Sequence, residues 1–144
     1  MARSQKVINT TLEGKGHNKT SVEMSFATSL PSLTLLTLRA QKLVAGVYLV
    51  TNFLKDTDPL VCSLKDVSLK IMRQFCALQT ERGSNFRQHE GVLRAMIAEM
   101  TALLAVGQAG GLISAMNSTI LLGEYHTLDQ AVSTIGTERE AENG

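Results

Sequence analysis

Tryptophan is absent from this chain and aromatic residues make up only 4% of it. An all-β core normally draws on aromatic and β-branched residues, so that scarcity points away from it. Proline is nearly absent too, with Pro31 and Pro59 alone interrupting 144 residues. Cysteine occurs twice, at Cys62 and Cys76. Both fall in one expected helix, where 14 residues of separation correspond to roughly 21 Å, beyond disulfide reach, so reduced thiols and a cytoplasmic setting are expected. The three histidines, His17, His89 and His126, are scattered. No Cys-His or Ser-His-Asp arrangement, metal-ligand spacing or phosphate loop is legible, and an enzyme, a cofactor and a metal are not expected. Gly14 to Thr20 resembles a phosphate loop but lacks the glycine before Lys19-Thr20 and is one residue short. The first 30 residues show no apolar secretory core, so the N-x-[ST] triplets at Asn9, Asn18 and Asn117 read as chance matches.

What is present is an aliphatic helical pattern. Hydrophobic residues make up 44% of the chain, enough for one domain with one core of Leu, Ile, Val, Met and Ala. The expected fold is all-α, an antiparallel four-helix bundle that forms oligomers. Residues 1–31 read as a flexible polar N-terminal arm, 32–136 as the bundle and 137–144 as an acidic frayed tail. From Met100 to Gly123 no residue is charged, long enough to span a bilayer. Gly107, Gly110 and Gly111 divide that stretch as a turn between helices, so no membrane association is expected.

The first helix is expected over Ser32 to Leu54, with Leu36, Leu43, Val44, Val47, Val50 and Leu54 on one side and Leu38, Leu49 and Phe53 elsewhere. Its second half is apolar nearly all round, which calls for cover on more than one face, at the centre of the fold or at a subunit contact. Asp58 and Pro59 form a cap and first turn for a second helix, Pro59 to Thr80. Its main stripe is Leu60, Leu64, Val67, Ile71, Phe75 and Leu78, flanked by a second strip of Val61, Leu69, Met72 and Cys76. That width reads either as a deeply set helix or as an oligomer contact. Leu49, Phe53, Val61, Leu69, Met72 and Cys76 are therefore the candidate oligomer interface.

Gly83 marks a helix stop, and Ser84 or Asn85 a cap, ahead of a third helix from Phe86 to Val106. Its core face is Phe86, Leu93, Met96, Ile97, Met100, Leu103 and Leu104, with His89 on the same side. A fourth helix, Asn117 to Gly136, places Ile120, Leu121, Leu128, Val132 and Ile135 inward, with Glu124 projecting onto that side. In an antiparallel hairpin Glu124 and His89 differ in level by about nine residues, roughly 14 Å, so they do not simply meet; a small-ligand bundle using the space around them is one alternative.

The net charge of +1 hides a split, +5 over residues 1–100 and −4 over residues 101–144. Lys65, Lys70 and Arg73 on the second helix and Arg87 and Arg94 on the third are candidate contacts for RNA, DNA or a protein partner. A stand-alone nucleic-acid-binding module is the second alternative.

The segment Lys42 to Thr51, the Asp58-Pro59-Leu60 turn and the approach Ile113 to Asn117 resemble small four-helix proteins. These are the ribosomal-insert proteins and the accessory variability determinants of diversity-generating retroelements, and the resemblance spans residues 35–135. It implies a ring of bundles, commonly a pentamer, that binds a reverse transcriptase and its RNA through basic surfaces. This chain is nearly neutral by comparison. The resulting expectation is a non-enzymatic, self-associating adaptor, accessory to a reverse transcriptase.

Overall fold

In a computed structural model, the description covers residues 32–81 and 85–143. The arm expected at 1–31 and the helix stop expected at Gly83 lie outside them. Four helices and no strands occur among the described residues: α1 Leu33–Val50, α2 Pro59–Thr80, α3 Phe86–Ala109 and α4 Ala115–Asn143. Each helix packs against the next, and α4 returns to α1.

Local chemistry accounts for most boundaries. The Ser32 hydroxyl accepts from Leu35 N–H at 3.1 Å and starts α1. α1 ends earlier than the pattern suggested: Thr51 is its C-cap, at φ −101° and ψ 4°, and its hydroxyl donates to the Val47 carbonyl at 2.8 Å. Asp58 Oδ1 accepts from Leu60 N–H at 2.8 Å and Pro59 opens α2, as expected. Asn85 precedes α3 without a side-chain cap bond. Gly107, read as the start of a turn, instead stays in α3, and its carbonyl accepts from Leu112 at 2.9 Å and Ile113 at 3.1 Å. Gly111, at φ +79°, holds the left-handed backbone that this turn requires.

α4 runs seven residues past Gly136, so residues 137–143 are helical rather than a frayed tail. Two contacts with α3 hold it: Glu140 pairs with Arg87, and the Arg139 guanidinium lies 4.3 Å from the Phe86 ring centre. An end that is secured by tertiary contacts does not fray.

The core is the expected aliphatic one, with Leu36, Leu43 and Val47 of α1, Ile71 and Phe75 of α2, Leu93 and Leu104 of α3, and Leu128 and Val132 of α4. α1 buries one face only, leaving Leu38 and Leu49 open, so it is not the central helix. α1 and α3 each have the length and apolarity of a bilayer-crossing helix. Each also has the single packed face of a bundle helix.

Of the α4 residues expected inward, Leu121, Leu128, Val132 and Ile135 are buried. The buried stripe of α4 is Leu121, Tyr125, Leu128, Val132 and Ile135, a regular i, i+4, i+7 progression. Ile120 and Glu124, expected inward, fall one position off that stripe and are exposed. Tyr125 is 1% exposed, and its hydroxyl has no hydrogen-bond partner among the described residues. Burial pushes the phenol above its ordinary pKa of 10.0. The folded state thus favours the neutral phenol, and the associated stability is complete below the unfolded pKa and is lost as pH rises above it. Tyr125→Phe is expected to be neutral or stabilising by up to ~1 kcal/mol at pH 7, since it removes an unpaired buried hydroxyl. Above about pH 10 the wild type is expected to lose up to ~1.4 kcal/mol per pH unit that Tyr125→Phe retains, measured by urea denaturation of both proteins.

Candidate functional site

The most unusual placement in the fold is a carboxylate on the core stripe of α3. Glu90 sits between Phe86 and Leu93 at i, i+4, i+7 spacing and is 3% exposed. A buried carboxylate needs charged or hydrogen-bonding partners, and Glu90 has two. Arg87 Nη1 lies 2.6 Å from Glu90 Oε1, and Arg94 Nη1 lies 3.9 Å from Oε2. Both arginines continue to α4. Arg87 pairs with Glu140, and Arg94 grips Asp129 through Nε–Oδ1 at 2.9 Å and Nη2–Oδ2 at 3.3 Å. The result is an alternating ladder, Glu140–Arg87–Glu90–Arg94–Asp129, along the α3–α4 seam. Hydrogen bonds to Glu140 and then Glu90 raise the Arg87 pKa, and the bond to Asp129 raises that of Arg94.

Gly136 makes room for the buried acid. A Cβ there would overlap Glu90 Oε1 and stand 2.8 Å from Arg87 Nη1. Beside the ladder a shallow groove runs over Gly91, Ala95 and Ala98. Three carboxylates against two guanidinium groups leave the ladder at −1, which gives it no pull on a phosphate.

Arg87 and Arg94, both candidate contacts by sequence, are brought together by the structure on the α3–α4 seam. A charged residue between apolar ones reads as a surface position, so Glu90 carries little sequence signal of its burial. Only its spacing from Phe86 and Leu93 marked it.

The other candidate cations are placed elsewhere. Lys65 lies 4.8 Å over the Tyr48 ring of α1 and 3.5 Å from Asp56, and Lys70 lies 3.0 Å from Asp66. Arg73 is exposed and in no ion pair among the described residues. Lys65 turns toward α1 while Arg87 and Arg94 turn toward α4, so the five do not form one basic face.

Of the candidate interface residues, Phe53 and Leu49 are 91% and 69% exposed and Cys76 is exposed, whereas Leu69 and Met72 are half-buried. Val61, expected at the interface, is instead buried. It is 0% exposed, because with Leu64, Ser68 and Ile71 it keeps the i, i+3, i+7, i+10 spacing of the packed side. Both cysteines are free thiols.

His89 and Glu124 do not share a site. His89 Nε2 lies 3.2 Å from Glu81 Oε1, while Glu124 lines a groove between α1 and α4 with Arg39, Lys42, Leu43, Ile120 and Thr127. Among the described residues, no three His, Cys, Asp or Glu side chains gather as metal ligands. Comparison with known proteins gives no match to a family model, a curated protein or a solved structure.

The seat of Glu90 is testable with two glycines of one helix. A Cβ at Gly123 meets nothing within 4 Å, so Gly123→Ala is expected to raise stability by about 0.5–1 kcal/mol through helix propensity. Gly136→Ala is expected to lower it by about 1 kcal/mol or more, because the carboxylate must leave its pair. In a Glu90→Ala background Gly136→Ala is expected to become favourable, as a denaturation-based double-mutant cycle reads out.

Proposed function

We propose that this chain is a non-enzymatic, self-associating four-helix bundle that serves as an adaptor in the cytoplasm. The observation that carries the reading is the exposure of large apolar side chains, above all Phe53 and Leu49 at the end of α1. Scattered apolar residues are ordinary on a protein surface, but a bulky aromatic almost fully in water beside an exposed leucine marks a contact surface.

The helices in this reading run antiparallel. Residues early in α1 meet residues late in α2, as Thr34 with Gln79, and residues late in α1 meet residues early in α2, as Tyr48 with Lys65. α3 and α4 follow the same rule, Arg87 with Glu140 and Arg94 with Asp129.

Four of the five candidate cations lie within ion-pair distance of an acid, which favours a protein partner over direct phosphate contact. The resemblance noted above makes a reverse transcriptase that partner, with RNA approached through it.

Light scattering at tens of micromolar is expected to give at least twice the 15.6 kDa chain mass. Phe53→Asp is expected to shift the mass toward 15.6 kDa with helicity unchanged. A strictly monomeric wild type at those concentrations would overturn self-association. Failure of the tagged chain to retain a co-expressed reverse transcriptase would overturn that partner.

A further inference from the structure

Leu38, Tyr48, Val92 and Val106 are exposed singly on α1 and α3, whereas four of the five most exposed large apolar side chains, Leu49, Phe53, Met116 and Ile120, come from α1, its closing turn and α4. On α1, Leu49 lies seven residues beyond Lys42, two turns along one stripe, and Phe53 follows in the closing turn. On α4, Met116, Ile120 and Glu124 recur at i, i+4, i+8, also one stripe. Lys42, Ile120 and Glu124 line the same α1–α4 groove, so the two stripes border one seam. A Cβ at Gly46, past Lys42 on α1, would meet Leu121, before Glu124 on α4, at 3.5 Å. Moving toward the end of α1 therefore means moving toward the start of α4. Leu49 and Phe53 belong at the same end of the seam as Met116 and Ile120.

Met116 is 69% and Ile120 56% exposed. With Leu49 and Phe53 they leave on the order of 500 Å² of apolar surface open, more than half of the ~800 Å² each partner contributes to a standard interface. The segments that carry this patch, Leu43 to Leu54 and Met100 to Gly123, contain no charged residue. Below the patch, charge returns with one sign on each side, Lys42 on α1 and Glu124 on α4. Neither is in an ion pair among the described residues. A surface that is neutral and apolar at one end, with opposite charges on its two flanks below, is complementary to itself. A bilayer surface would favour cations on both flanks, and α4 offers an acid.

Resting on the self-association proposed above, we infer that two copies join through the α1–α4 seam about a two-fold axis running along the helices. That axis sets α1 of each copy against α4 of the other. Leu49 and Phe53 cover Met116 and Ile120 of the second copy, and Lys42 faces Glu124 across the interface, twice per dimer.

The experiment uses charge reversal in the full chain, read by sedimentation equilibrium, with circular dichroism as the check on folding. Lys42→Glu alone and Glu124→Lys alone each place like charges opposite one another twice and are expected to weaken association at least ~tenfold. An equimolar mixture of the two variants pairs opposite charges only in the mixed dimer. It is expected to associate nearly as tightly as the wild type, with a mass of two chains. Rescue within one chain cannot produce this result, because neither variant carries both changes. A mixture no tighter than either variant alone, or a wild-type assembly larger than two chains, would overturn the seam dimer. A monomeric wild type would remove the self-association reading and the seam with it. If the wild type associates and only Leu69→Asp or Met72→Asp on α2 dissociates it, self-association stands and the seam falls.

Discussion

The charge ladder between α3 and α4 sets the rotation of α4, and much of the outer surface follows from that. Arg94 holds Asp129 with two nitrogens, and Glu90 occupies the space that Gly136 leaves open. Turning α4 by one residue position, about 100°, would break the Asp129 contact and bring a side chain against the buried carboxylate. With α4 so oriented, Tyr125 enters the core while Ile120 and Glu124 face the seam with α1. A polar network on one side of the helix thus determines which apolar residues are left exposed on the other.

The ladder is not the main source of stability. Its arginines are 45% exposed, and half-solvated ion pairs contribute little each. Folding is driven by the apolar stripes, from Leu36 on α1 to Val132 on α4. Such aliphatic surfaces are tolerant of sliding and rotation, because many arrangements of Leu, Ile and Val fill space nearly as well. Directional contacts select one arrangement. Glu90 is an example: off its pairing it would be a buried unpaired charge.

The near-neutral composition has a similar logic. Lysines and arginines that look available in the sequence are spent on neighbours, Lys70 on Asp66 and Arg87 on two glutamates. Meanwhile the uncharged stretches that resemble membrane-crossing or core segments form the end of the bundle where Leu49, Phe53 and Met116 stand in water. The large exposed side chains at that end are therefore apolar rather than basic.

Local chemistry was enough to determine the helical class, the four helices and the bounds of α2. A cap such as Asp58, a first-turn proline such as Pro59 and an i, i+3, i+4 stripe act within a few residues and are visible as letters. Most of the core was legible for the same reason, from Leu64 to Phe75 and from Leu93 to Leu104. The tertiary structure alone decided that Val61 packs inward, that Glu90 is buried, that Tyr125 rather than Glu124 points to the core, and that residues 137–143 continue α4. The last of these and the seat of Glu90 depend on partners far away in the chain: Arg87 and Glu140 are 53 positions apart, and Arg94 and Asp129 are 35. Periodicity shows that a helix has an apolar side. The neighbour against which that side packs determines where its edges fall.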